Sequence, residues 1–280
     1  MVLLAGLVLA VGLAVAAPRF LSNKSQKAEN NARYTEAQQL ADALQNDPKY
    51  RDKESQAYKE ARQKFCLLSA RPVEQREKAV ANIKGFLGKP TVDVGFVCSR
   101  FEGSDYTKPK IEYYNAALFG FTVDPKTNYI VDVRTEAWEG SRWGTNTDGT
   151  RWFDPQPEID YTSRYTQKQA EEIAKKFIID HKDILGVDIS EMIYTFEGTK
   201  PGNFFMSWKD TKHPYTKEVE VCGNLGEGSV NATYEGAYQR ADGTWCVKRQ
   251  SSHDPQVDIT ITTGGQIIVY RNNILDLPKL

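Results

Sequence analysis

Apolar residues recur at helical spacing along one stretch of this chain and alternate along most of the others. Behind Thr166, the positions Ala170, Ile173, Ala174, Phe177 and Ile178 fall on one helical face, while Glu171, Glu172, Lys175 and Lys176 take the other. Thr166 and Gln169 have the spacing of a capping box, so a helix is predicted to open there. A second helix is predicted from Val73, Val80, Ile83 and Leu87, stopped by Gly88 and Pro90. Val92 to Val97 then alternates as a strand, and a further strand covers Ile111 to Leu118. Phe121 to Arg134 and Ile259 to Arg271 each read as strand, tight turn and strand ending in arginine, which makes them copies of one hairpin. Asp124-Pro125-Lys126-Thr127-Asn128 supplies the first turn: proline presets its φ and asparagine tolerates a left-handed position. The second turn centres on Thr263-Gly264-Gly265, and candidate strands between helix and hairpin cover 192–196, 203–208, 218–222, 233–238 and 244–249.

The pattern therefore predicts an α+β fold of two tandem small modules, residues 66–139 and 166–280, each an antiparallel sheet packed against a helix. A Trp-rich hairpin or linker over 140–165 connects them. Residues 21–65 are polar, with a thin apolar stripe through Tyr34, Leu40, Leu44, Ala57, Ala61 and Phe65 broken at Asp47-Pro48. They read as a spacer of two exposed helices, with helical pairing to a partner as the alternative. Residues 1–20 hold an unbroken run of apolar and small residues from Val2 to Ala17, ending in a small-x-small pattern. This is either a cleaved signal peptide or a retained membrane anchor, and the polar spacer behind it favours the anchor. An extracytoplasmic location follows, secreted or membrane-anchored.

The chain has 280 residues and a net charge of -1, from 36 Lys+Arg against 37 Asp+Glu, so it has no global field to attract nucleic acid. Its four cysteines divide two and two. In an exported chain this suggests Cys66 with Cys98 and Cys222 with Cys246, among three possible connectivities, and buried free thiols are the competing reading. No close Cys/His spacing suggests zinc. Ser252-His253-Asp254 are sequence neighbours, whereas triads are assembled from residues distant in sequence, and Asp254-Pro255 is better explained as a turn. His181 and His213 lie in unrelated contexts, and no phosphate-binding loop, nucleophile elbow or metalloprotease motif is present. No catalytic residue, cofactor or metal is expected. Asn146 and Asp148 lack the rest of a calcium loop, and the two glycosylation sequons, at Asn23 and Asn231, are chance matches. Arg142-Trp143 and Arg151-Trp152 form a near-repeat within the connecting segment. Exposed tryptophan and arginine anchor binding surfaces, so these residues are the candidate partner contact. The competing reading folds both tryptophans down to seal the modules together.

The hairpin Thr122 to Ile130 resembles the V-D-x-x-T-G-x-I/V signature of PepSY domains, with Asn128 at the usual glycine position. The helix from Thr166 to Ala174 is similar to the one that opens those modules. The pairing of two such modules, with Phe205 to Trp208, is similar to the PepSY-like YcdB/YcdC group of bacteria. The resemblance implies a non-catalytic extracytoplasmic binding or regulatory protein that restrains a peptidase or senses at the envelope. The partner is then a secreted or membrane peptidase or another envelope protein, with the membrane engaged through residues 2–17 if they are retained. A structural envelope spacer and an enzyme of unrecognised type are the alternatives.

Overall fold

A computed structural model of the chain describes residues 30–101, 108–135, 143–145, 151–153, 159–223, 235–240 and 243–274, with backbone alone for 143–145 and 151–153. The hydrophobic run at 2–17 lies outside them. Among the described residues no helix is long and apolar enough to cross a membrane.

The architecture is α+β, and its centre is an eight-stranded antiparallel sheet to which both modules contribute four strands. The first gives β1 (Val94–Arg100), β2 (Ile111–Ala116), β3 (Phe119–Val123) and β4 (Ile130–Thr135). After the short pair β5 (Trp143–Thr145) and β6 (Arg151–Phe153), the second module gives β7 (Ile193–Lys200) and β8 (Asn203–Lys209). A separate sheet of β9 (Tyr215–Cys222), β10 (Ala237–Gln239) and β11 (Trp245–His253) follows, before β12 (Gln256–Thr262) and β13 (Ile267–Asn272). The strand order in the large sheet is β1-β2-β3-β4-β13-β12-β8-β7, so the two halves meet through their fourth strands.

Strand registers show that the duplication reaches well beyond the hairpin. Each fourth strand bulges at its second residue, Val131 and Ile268, and each first strand bulges at Val97 and Glu197. Following the pairs across the sheet gives one continuous row: Phe96, Tyr114, Phe121, Val133, Tyr270, Ile259, Met206 and Phe196. It is a palindrome of equivalent positions, centred on the Val133–Tyr270 pair. All eight belong to a single hydrophobic core, and its members Tyr114, Phe121, Tyr270, Ile259 and Met206 are buried.

Two helices cover this row, α3 (Val73–Leu87) over the first half and α4 (Gln167–Asp180) over the second, followed by the single turn α5 (Lys182–Leu185). Thr166 and Gln169 form the reciprocal capping box, and Ala170, Ala174 and Ile178 are buried. In α3 the buried positions are Ala79, Asn82, Ile83 and Phe86, whereas Val73, counted on the apolar face in the sequence, is 63% exposed. The helix turns a little from the face that branched residues alone suggest, because Phe86 has the better partner. Its ring lies edge-on to Phe121 at 5.6 Å and to Phe177 of α4 at 5.0 Å, and Tyr270 is 6.3 Å away. Phe86 thus touches both helices and both halves of the sheet. A second bridge lies at the end of α5, where Gly186 at φ 66° lets the ring of Tyr129, in the first hairpin, come so close that a Cβ would lie 2.3 Å from it.

The spacer folds against itself and against the first module. A helix over residues 30–46, α1, buries Ala37, and α2 (Gln56–Leu68) buries Ala61 and Cys66. Glu36 pairs with Lys64 at 2.7 Å, Arg33 donates to the carbonyl of Ala70, and Cys66 is bonded to Cys98 on β1. The thin apolar stripe is therefore used within the chain, with small residues allowing close helix approach. The strand candidates 218–222 and 244–249 become β9 and β11 of the inserted sheet, with Cys222 and Cys246 directly opposite each other and bonded. The insert springs from the β8–β12 connection, equivalent to the two-residue turn Ala117-Leu118 of the first module, and Asp210 N donating to the carbonyl of Pro255 closes its neck.

Two outcomes follow. Intact mass before and after reduction and alkylation should show two disulfides, and Cys66→Ala/Cys98→Ala, which opens a loop of 32 residues, should lose about 3 to 4 kcal/mol in urea unfolding. Phe86→Ala should cost about 3 to 5 kcal/mol by the same measurement, and a loss below 1 kcal/mol would show that the ring does not couple the modules.

Candidate functional site

The side of the sheet away from α3 and α4 is closed over one half and open over the other. In the second module Ser207 and Thr260, which point to that side, are 0% and 5% exposed. In the first module Tyr113, Thr122, Val131 and Asp132 are only half-buried, and Asn115, Arg134 and Arg271 are exposed. The alternation that sends Tyr114, Phe121 and Val133 into the core sends these neighbours outward.

They floor a groove of about 1380 Å³ that spans β1, β2, β3, β4 and β13, with Arg62 and Phe65 of α2 along one wall. The Cys66–Cys98 bond fixes that wall to β1. Among the described residues its cationic side chains are Arg62, Arg100, Lys108, Lys110, Lys126, Arg134 and Arg271, of which Lys108 and Lys110 already have contacts of their own, and its carboxylates are Asp124 and Asp132. Both carboxylates already have partners. Asp132 accepts from Arg134 at 2.7 Å and from Arg271, across the seam between modules, at 3.3 Å. Asp124 accepts from the backbone N–H of Lys126 and the Thr127 hydroxyl inside its own turn. Between the charges lie Phe65, Val97, Ile111, Tyr113 and Val131, so the surface alternates apolar and cationic chemistry.

A buried ion pair holds the turn that borders this groove. Arg71, just before α3, grips the fully buried Glu112 with Nε at 2.9 Å and Nη2 at 2.6 Å, and it also donates to the carbonyl of Pro125 and to Asn128 Oδ1. The Tyr114 hydroxyl donates to Glu112 at 2.7 Å, and burial together with the neighbouring carboxylate pushes that phenol far above its ordinary range. Asn82 of α3 donates to the backbone carbonyl of Asn128. Asn128 holds φ 62° as a glycine would, and adds what a glycine cannot, a side-chain acceptor for Arg71. In the second module the position equivalent to Glu112 is Phe204, and its turn is held instead by the strap 159–165, where Arg164 and Tyr165 N–H donate to the carbonyl of Thr263.

The remaining candidates are dispersed. His181 stacks on Phe177 at 4.1 Å and donates through Nδ1 to that residue's carbonyl. His213 Nδ1 lies 2.8 Å from Asp210 and holds that carboxyl below the usual range. His253 faces Tyr215 in the inserted sheet, and the carbonyl of Asp254 accepts from Asn273 in the turn to β12. Glu220 approaches Cys222 and Cys246, but those sulfurs are bonded to each other and have no thiolate to offer a metal, while Glu220 is engaged by Tyr238 and Arg240. Arg142 lies outside the described residues, as do the side chains of Trp143, Arg151 and Trp152. Only the backbone pairing of their strands is defined, with Gly144 opposite Trp152 and Thr145 opposite Arg151.

The fold and this groove define an α+β sheet protein with one helix-covered face and one open, cation-lined face. No protein-family model matches the sequence, and no curated protein does either. Among solved structures, the Bacillus megaterium YpeB C-terminal domain is similar at 14% identity and a TM-score of 0.34, covering 72% of this chain and 67% of that one.

Glu112→Gln should leave the Arg71 guanidinium buried without its counter-charge and cost about 3 to 5 kcal/mol in urea unfolding. Asn128→Gly, which keeps the turn conformation and removes only the side-chain acceptor, should cost about 1 kcal/mol. Equal losses would mean that the ion pair does not anchor the turn.

Proposed function

We propose that this is a non-catalytic, extracytoplasmic binding protein that holds a partner protein on the open face of its sheet. The PepSY resemblance of the hairpin and the α4 helix makes a peptidase, or another envelope protein, the class of partner, with restraint or sensing at the envelope as the result. The observation that carries the reading is the contrast between the two faces. The helix side is committed to one core, while the other side leaves a groove larger than the several hundred Å³ of an ordinary small-molecule cleft. Each described histidine is held in a structural contact, and the bordering carboxylates are committed to turns and ion pairs. The two disulfides support an oxidising compartment outside the cytoplasm.

A benzoylphenylalanine at position 115, exposed on the groove floor, tests this by photocrosslinking in the native envelope, with the same group at position 175 on the solvent side of α4 as the control. A discrete adduct from 115 alone, identified as a peptidase or envelope protein, is the expected result. No adduct, or identical adducts from both positions, would remove the groove as the seat of an envelope partner.

A further inference from the structure

We infer that the segment seated in the groove is an acidic, extended stretch of polypeptide with apolar residues among its carboxylates. This rests on the open face being the working surface, and it names the chemistry that face selects. The chain as a whole is almost neutral, with 36 cationic and 37 acidic residues, whereas among the described groove residues Arg62, Arg100, Lys126, Arg134 and Arg271 face only Asp124 and Asp132, a local segregation of charge that does not count Lys108 and Lys110, which have contacts of their own. Asp132 is already countered by Arg134 and Arg271, and Asp124 is engaged within its own turn, so neither described carboxylate neutralises Arg62, Arg100 or Lys126. Four of these five cations are arginines, whose planar forks match carboxylates in two-point contacts.

Charge alone would suit any polyanion, and the apolar residues narrow the choice. Val97 is 45% exposed on the edge strand, and Tyr113 and Val131 are only half-buried on the floor between the arginines. Side chains of that kind gain from covering apolar groups, which a phosphate polymer does not carry and a peptide does. The dimensions agree as well. Five strands about 4.8 Å apart give a floor about 19 Å long, which an extended peptide of about six residues would span.

The test is fluorescence anisotropy on the oxidised full chain, using a short labelled peptide of glutamates interleaved with phenylalanine and glycine. Its lysine counterpart and poly(glycerol phosphate) serve as comparison probes. The acidic peptide should bind, the lysine peptide should not, and the phosphate polymer should compete only weakly. Arg100→Glu/Lys126→Glu should weaken peptide binding about tenfold, whereas Lys175→Glu should leave it unchanged. If the double variant does not retain its disulfides and its cooperative melt, the salt dependence of the parent chain decides. Affinity falling steeply with added salt supports the groove contacts, and salt-independent binding overturns them. Tighter binding of the phosphate polymer, or no peptide binding at all, overturns the inference. Addition of the acidic peptide to the position-115 crosslinking reaction separates this inference from the function it rests on. An adduct that the peptide does not displace leaves the binding function standing and removes the acidic segment. Peptide binding without any adduct removes the protein partner and keeps the peptide specificity.

Discussion

The pairing of β4 with β13 is the constraint on which the other features rest. Val269 opposite Arg134, Tyr270 opposite Val133 and Arg271 opposite Asp132 join two four-stranded sheets into one. On the helix side this junction brings Tyr270 beneath Phe86, so α3, α4 and both hairpins share one core instead of two small ones. Larger cores bury a greater fraction of their apolar surface, and neither module alone would bury as much. On the other side the same junction places Arg271 beside Asp132 and Arg134, which extends the groove floor past the end of the first module.

Position in the sheet explains why the two faces differ. Side chains alternate along β2 and β3, and along β4 beyond its bulge, so whatever fixes the core register also fixes which cations face the groove. The bulges at Val97 and Val131 lie on strands that line this floor, and bulges add local twist and bend, which suits a concave surface better than a flat one. The buried Arg71–Glu112 pair holds the neighbouring turn, and the Cys66–Cys98 bond holds α2 beside the strands. Two edges of the groove are therefore held by a buried ion pair and a disulfide, and edges fixed in advance would lower the entropic cost of binding.

Much of this was legible in the sequence. The capping box at Thr166, the turn from Asp124 to Asn128 and the repeated hairpin are local patterns whose physics is complete within a few residues. The two-and-two division of the cysteines suggested the pairing found, with other connectivities and free thiols still open. Long-range pairings were out of reach. Nothing near Asp132 announces Arg271, which is 139 residues away, and a glutamate in an alternating strand such as Glu112 reads as solvent-facing until Arg71 is known to lie above it. Val92 and Leu118 were counted into strands because apolar alternation continues through them, but β1 starts at Val94 and β2 ends at Ala116. Ala117 at φ 53° begins a turn that no glycine or proline marks. The groove itself had no linear signature, since its arginines come from α2, β1, β4 and β13.

The palindromic row through Val133 and Tyr270 has a further consequence. Two equivalent fourth strands paired antiparallel make the kind of self-complementary contact found in symmetric dimers. Carried on one chain, that contact forms at an effective concentration set by the tether, so it does not loosen on dilution as a dimer would. Tethering also frees the halves to diverge. One has the buried ion pair and the open cationic floor, while the other carries the inserted sheet and buries Ser207 and Thr260 on the same face.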